Sequence, residues 1–273
     1  MTAHIRHSGR VIARREITPH MVRVTIGDIR IGDEAPTLGI RADEFFAISV
    51  PVPSGEPVHR YYTARAWRAE AGELDIDLML HGEGPATEWA ARAAIGDQVA
   101  FDQPRGHYAP PEDATWIALS GDATALPAIG RILEERTARA APPIHVVISV
   151  EDPADRQELP LRAGDTLRWV DADQLVPETL ALTETTLPGY LWFAGEASDM
   201  RRVRHHLRRE LTWPTHRWMT MGYWRRDRER WLARYEAAGE AFHRRLADVY
   251  SSDEDDETQT DRAEELYAQQ GLL

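Results

Sequence analysis

The sequence predicts a small antiparallel β-barrel followed by an α/β domain built on a parallel sheet. Three observations carry this. The first half holds short alternating segments cut by turn signals, with one helix before the last strand. From Trp116 onward, apolar strands alternate with helical segments, the rhythm of parallel βαβ units. The chain has 273 residues, 42% hydrophobic and 28% charged, enough for one large domain or two ordinary ones with a sizeable core.

In the first half, Arg10–Ile17 and Met21–Ile26 flank Thr18-Pro19-His20, a turn signal. Phe45–Val50, His59–Ala66 and Leu74–Leu80 follow, separated by a Pro-Ser-Gly-Glu-Pro stretch and by Glu70-Ala71-Gly72-Glu73. Alternation sets Leu74, Ile76, Leu78 and Leu80 on one face, with Asp75, Asp77 and Met79 on the other. A short helix runs from Gly84-Pro85 to about Ala94, and Gly96-Asp97 opens a strand over Gln98–Asp102. In the second half, strands are expected at Trp116–Ser120, Ile144–Val150, Leu167–Val170, Tyr190–Ala194 and Arg217–Met221. Helices are expected at Thr124–Arg139 and Ser198–Leu211, and Trp224–Tyr250 is charged and helix-prone. The domains are read as 1–112, 113–250 and an acidic segment 251–273. Ser251–Leu266 carries eight acids against one base, and Ser251–Thr260 holds no apolar residue, which predicts a flexible solubilising linker. An electrostatic dock or lid is the other reading. Ala263–Leu273 suits a short helix that folds back.

The formal net charge of −13, with no basic block, argues against nucleic acid as a main partner. Cysteine is absent, excluding disulfides, thiolate nucleophiles and iron–sulfur ligands. Lysine is absent too, which excludes a Schiff-base or P-loop lysine. No apolar run approaches the ~18 residues that span a bilayer, and the N-terminus lacks a signal-peptide core. These points predict a cytoplasmic protein without membrane insertion; a monomer is expected.

Five segments hold candidate site residues. On a strand, His59-Arg60-Tyr61-Tyr62-Thr63-Ala64-Arg65 puts Arg60 and Tyr62 on one face and Tyr61, Thr63 and Arg65 on the other. A tyrosine with a cation two residues earlier suits a flat ring joined to a phosphate. An ordinary strand with a half-buried tyrosine reads the same way. In Asp77-Leu78-Met79-Leu80-His81-Gly82-Glu83-Gly84-Pro85-Ala86-Thr87, a glycine-proline helix start suits a diphosphate, or is a plain strand–turn–helix with His81 in its loop. Gly121-Asp122-Ala123-Thr124 and Gly195-Glu196 each end a strand and open a helix, the place where open α/β sheets bind nucleotides. The three-glycine dinucleotide fingerprint is missing. Arg201, Arg202 and Arg204 suit a 2′-phosphate or a solvated helix face. Gly222-Tyr223-Trp224-Arg225 offers paired aromatics after the final strand, as a cover for a flat cofactor or a core plug.

In this order, the five segments resemble the siderophore-interacting FAD-binding proteins, a branch of the ferredoxin-reductase-like flavoproteins, from about Val11 to Arg225. The resemblance implies a FAD-binding barrel of ferredoxin-reductase type and a NAD(P)H-binding α/β domain. It implies NADPH or NADH as co-substrate and a ferric siderophore as the acceptor. Hydride would pass from NAD(P)H to FAD, and single electrons to chelated Fe(III), so that Fe(II) leaves. Carried over, Arg60 would pair the FAD phosphate, Tyr62 would stack on the flavin, and Thr63 would bond near its reactive nitrogen. Tyr62 and Thr63 are thus the expected catalytic contacts. Asp77, His81, Gly84, Pro85, Ala86 and Thr87 would line the ribityl and diphosphate. Gly121, Asp122 and Thr124 would sit by the nicotinamide, Glu196 towards the nucleotide, and Tyr223 and Trp224 over the cofactor. A related flavin reductase often has cysteine where Ala194 stands. With no lysine, an anionic chelate needs arginine or histidine; Arg41, Arg65, Arg105 and Arg225 are candidates. No metal site is expected. A general flavin or ferric reductase with another acceptor, and a non-catalytic siderophore-binding flavoprotein, are the alternatives.

Overall fold

The computed structural model describes residues 7–31, 38–50, 58–80, 85–136 and 142–273. The barrel strands are β1 (His7–Thr18), β2 (Met21–Ile31), β3 (Phe45–Val50), β4 (Val58–Arg68), β5 (Glu73–Met79) and β6 (Gln98–Phe101), with α1 (Pro85–Arg92) before the last. They close in the order β1-β2-β5-β4-β3-β6, every pair antiparallel. Closure leaves no free sheet edge. Val11, Val24, Phe46, Ile48, Ala64, Leu74, Ile76 and Leu78 fill the interior without solvent contact, and Trp89 and Ala90 of α1 pack against them. The predicted alternation of β5 holds. Its outer face carries Asp75 and Asp77, both buried against arginines, and Met79, which packs on the core of the second domain.

That domain contains β7 (Trp116–Asp122), α2 (Leu126–Glu135), β8 (Ile144–Ser149), β9 (Thr166–Val170), α3 (Ala172–Ala181), β10 (Gly189–Glu196), α4 (Ala197–His205) and β11 (Trp218–Trp224). The parallel sheet runs β11-β10-β7-β8-β9. The chain lays down β7, β8 and β9 in one direction, then returns to add β10 and β11 on the other side of β7. The winding therefore reverses between β7 and β10, and at such a switch point the carboxyl ends of the strands leave a crevice. One sheet face packs on α2 and the barrel, the other on α3 and α4. Three more helices end the chain: α5 (Arg228–Ala237), α6 (Gly239–Tyr250) and α7 (Asp256–Gln269).

Four expectations change. The helix expected at Thr124–Arg139 starts as a single 3-10 turn over Ala123–Ala125 and becomes α-helical at Leu126, with Pro127 in its first turn; Arg136, at ψ 117°, ends it. The last strand runs on to Trp224, because Gly222 and Trp224 pair with Gly195 and Glu196 of β10; the aromatic pair lies on the sheet, not after it. The ten-residue helix α3 has no counterpart among the expected elements, because Pro177 inside it masks its signal. The acidic segment is not a flexible linker throughout. Asp255 caps α7 through the amides of Glu257 and Thr258, and Arg204, Arg208 and Arg209 neutralise its acids.

The barrel docks on the sheet through named contacts. Ile17, Met21 and Met79 join the α2-side core. Asp155 receives the amide of His20 at 3.0 Å and faces its Nδ1 at 2.8 Å. Buried Arg131 of α2 donates to the Ala64 carbonyl at 2.7 Å and to Glu44 at 3.1 Å. Buried Asp43 accepts the Trp192 indole N–H at 3.1 Å and the His107 amide at 2.9 Å.

Candidate active site

The site is assembled where the middle of β4 meets the carboxyl ends of β7, β10 and β11. Strand alternation turns Thr63 outward from the barrel, and the second domain covers it until it is buried. Tyr223 of β11 reaches the same place. Its hydroxyl is buried beside the Thr63 side chain but has no hydrogen-bond partner of ordinary geometry. Burial pushes this phenol up, so it stays a neutral donor. A buried hydroxyl without a partner is costly, by about 1–3 kcal/mol. Such a hydroxyl is free to bond a polar atom that a ligand would bring.

Tyr62 packs against the barrel core. Burial raises its phenol to about 12, against a smaller opposing pull from Arg60. It is therefore uncharged at neutral pH and suited to stacking. Arg60 is half-buried; its Nη1 donates to the His59 carbonyl at 2.9 Å, and among the described residues it has no carboxylate partner. Its pKa is lowered by burial and then by the charge of Arg228, which opens α5. A half-buried guanidinium without a carboxylate partner, in the field of a second cation, suits an anion.

Asp122 ends β7 at the carboxyl edge of the sheet. Its carboxylate accepts from the Thr124 amide (2.9 Å) and hydroxyl (2.5 Å), the Glu196 amide (2.9 Å) and the Trp224 indole (2.7 Å). Burial raises its pKa in spite of these bonds. Glu196 caps α4 through Ser198 and accepts the Arg226 amide at 3.1 Å. Burial opposes its charge, but those bonds hold its carboxyl below the ordinary range. Gly121 and Gly195 are set by close approach. A Cβ on Gly121 would meet the Ala194 carbonyl oxygen at 2.1 Å, and one on Gly195 would meet Asp122 at 2.6 Å. Asp122, Thr124, Glu196 and Trp224 are thus one hydrogen-bonded unit at the switch point, with Tyr223 and Thr63 next to it.

Other expected residues lie elsewhere. Asp77 is clamped by Arg23 at 2.6 and 2.7 Å, with Arg65 at 3.7 Å. Ala86 is buried in the barrel core, Thr87 is in the first turn of α1, and Pro85 begins that helix. His81 and Gly84 lie outside the described residues. The four arginines considered for the acceptor do not converge. Arg65 pairs with Glu134 of α2 at 2.6 Å. Arg41 donates to the Tyr108 carbonyl. Arg225 stacks on Trp231, 4.6 Å from its ring centre, below the Leu272 carbonyl. Arg105 alone is exposed, against Tyr61 and Phe45. Arg204 is held by Glu257, Asp261 and Glu264, which leaves it unavailable to a nucleotide phosphate. Arg228 was not foreseen, and no local signal in the sequence marks it. Tyr61 stands in the richest segment, but only the structure shows its exposure.

The sequence model of the siderophore-interacting FAD-binding domain matches residues 32–108, and that of the siderophore-interacting protein matches residues 114–227. The crystal structure of the siderophore-interacting protein SipS from Aeromonas hydrophila is 31% identical, with a TM-score of 0.69, over 86% of this chain and 98% of that one. This chain belongs to the siderophore-interacting protein family. Ferric vibriobactin reductase ViuB of Vibrio cholerae is 29% identical over 241 residues, 80% of this chain and 88% of its own. A ferredoxin NADP+ reductase from Neisseria gonorrhoeae, at 14% identity and a TM-score of 0.57 over 80% of this chain and 99% of that one, shares the fold alone. No helix among the described residues is long and apolar enough to cross a membrane.

The described residues fit the FAD that this family's barrel domain binds. The buried Tyr223 hydroxyl could bond a polar atom of the ring system, Tyr62 is a neutral surface suited to stacking, and Arg60, without a carboxylate partner among the described residues, could pair a phosphate.

Proposed function

We propose that this chain is a cytoplasmic, FAD-dependent NAD(P)H:ferric-siderophore oxidoreductase. The observation that carries the reading is the buried Tyr223 hydroxyl, without a partner of ordinary geometry, beside Thr63 and next to the hydrogen-bonded Asp122–Glu196 unit. It brings the middle of β4 and the carboxyl end of β11 together at one point. FAD, when bound, would supply the redox chemistry, taking hydride from the nicotinamide and delivering single electrons to iron.

The chain's own residues bind and orient. Arg60, with Arg228 behind it, would hold the diphosphate, and Tyr62 would stack on the ring system. Thr63 and Tyr223 would each offer a hydroxyl hydrogen bond at the ring's polar edge. Asp122 holds Thr124, the turn of Glu196 and Trp224 in one arrangement, so the nicotinamide would meet a preorganised floor. The contact of barrel and sheet around Thr63 excludes water from this junction. No side chain here need move a proton; Tyr62 and Tyr223 both stay protonated at neutral pH. Release of the product follows from iron's own chemistry, because Fe(II) is held far more weakly than Fe(III) by hard oxygen ligands.

The test is anaerobic. Purified protein is mixed with FAD, NADH or NADPH and a set of ferric siderophores, with a chromogenic trap for Fe(II). Trapping that needs both protein and siderophore is the expected result. Bleaching of the flavin by nucleotide without any Fe(II) would refute the acceptor, and absence of flavin binding would refute the enzyme.

A further inference from the structure

Tyr61 and Thr63 lie on the same face of β4, about 7 Å apart along the strand. Thr63 is buried under the second domain, while Tyr61 is 55% exposed. The face therefore leads from the covered junction to open surface within one residue pair. Phe45 of β3 stands directly opposite Thr63 in the register and meets the Tyr61 ring edge-on at 5.8 Å. Arg105 completes the group. Its guanidinium carbon is 5.4 Å from the centre of each ring, and its Nη2 donates to the Tyr61 hydroxyl at 3.0 Å.

This group is built rather than incidental. Arg105 and Phe45 exchange both backbone hydrogen bonds, at 2.8 and 3.0 Å. Next to it, a Cβ on Gly106 would strike Asp43 at 2.7 Å and Arg41 at 2.9 Å, so the loop is pinned against the barrel. The His107 amide is tied to buried Asp43, and its ring faces Phe45 at 5.8 Å. Arg105 makes no ion pair among the described residues. Asp102 feels its charge but gives its oxygen to the Ala47 amide at 2.7 Å. The result is an exposed cation on a rigid aromatic base, one residue pair from Thr63.

We propose that Tyr61, Phe45, Arg105 and His107 form the docking platform for the iron chelate, and that it selects chelates with anionic aryl–oxygen ligands over aliphatic hydroxamates. This rests on the ferric-siderophore reading above. Two properties decide the class. A flat aryl ring stacks on exposed Tyr61 and on the guanidinium plane, whereas an aliphatic chain has no such face. Catecholate dianions over-neutralise Fe(III) and leave a negative complex for Arg105, whereas hydroxamates only balance the metal.

The test uses redox-inert gallium complexes, so binding is read without turnover. Full-length, flavin-loaded protein is titrated by calorimetry with the Ga(III) complex of 2,3-dihydroxybenzoate and, separately, with that of acetohydroxamate. The aryl complex is expected to bind at least roughly tenfold more tightly. Arg105→Gln and Tyr61→Ala should each weaken the aryl complex by about tenfold while changing the hydroxamate complex by less than about twofold. Tyr61→Phe, which keeps the ring, should retain most of the affinity. Flavin absorbance on the same samples reports folding. Equal affinity for the two complexes, no measurable binding of either, or variants that bind the aryl complex like the parent would overturn the platform. Flavin content and bleaching by nucleotide test the enzyme reading separately, because neither depends on where a chelate docks.

Discussion

Replacing Arg131 with methionine probes the contact that holds the two domains in register at Thr63. Arg131 is 1% exposed and its partner Glu44 2%. The change removes a 2.7 Å bond to the Ala64 carbonyl and a 3.1 Å ion pair to Glu44. The pair with Glu135 adds little, because that carboxylate is 45% exposed. Glu44 keeps the amides of Gly39, Ile40 and Arg41, at 2.8, 2.8 and 3.1 Å, so its stranded charge stays partly satisfied. The loss of its buried counter-ion is therefore placed at the low end of the usual range, about 3 kcal/mol. The orphaned carbonyl adds about 1 kcal/mol. Urea unfolding followed by tryptophan fluorescence should thus show a loss of about 4 kcal/mol. Glu44→Gln in the Arg131→Met background should recover part of it, since the stranded charge is gone. Flavin retention should fall with stability, because Ala64 adjoins Thr63. A loss below about 1 kcal/mol, or strictly additive effects in the double variant, would refute the reasoning.

Three further outcomes follow from individual contacts. Gly121→Ala places a methyl 2.1 Å from the Ala194 carbonyl oxygen and must force β7 from β10; a cost of about 1–3 kcal/mol and weaker nucleotide binding are expected, and unchanged thermal unfolding with unchanged nucleotide titration would contradict it. Arg204→Gln removes the common partner of Glu257, Asp261 and Glu264, so amide exchange along α7 should speed up by roughly tenfold or more while barrel amides stay as they were; exchange that does not change would show that α7 is held by its apolar contacts alone. Asp165 is desolvated, yet Arg136 and the amides of Arg162 and Ile144 hold its carboxyl down at about 2. Its stabilisation is complete above the ordinary carboxylate range and disappears as pH falls through about 2. The gap in urea midpoint between the parent and Asp165→Asn should therefore shrink on acidification, and a gap independent of pH would rule this out.

How much was legible depended on the range of the interactions. The alternation of Leu74, Ile76 and Leu78 announced a half-buried strand, and all three fill the barrel. Trp116–Ser120 and Tyr190–Ala194 announced strands of the parallel sheet through their apolar runs, and the structure places both inside it. Such patterns are local. The start of α2 and the existence of α3 were less legible, because Pro127 sits in the first turn of one and Pro177 interrupts the pattern of the other. The acidic run at 251–266 misled for a different reason, the distance of its partners in sequence. Its partners, Arg204, Arg208 and Arg209, lie about fifty residues earlier and meet it only after folding.

The site divides along the same line. The amino-acid order alone determined which residue types were on hand: a cation two residues before Tyr62, glycines ending β7 and β10, and arginine as the only strong cation. Tertiary structure decided their employment. It turned Arg65 to Glu134 and Asp77, spent Arg204 on α7, stacked Arg225 on Trp231, and left Arg105 exposed on Tyr61 and Phe45. It also brought Tyr223 to Thr63 from the far end of the chain. A guanidinium's role is set by whichever carboxylate, ring or solvent the fold puts beside it, and that neighbour is seldom nearby in sequence.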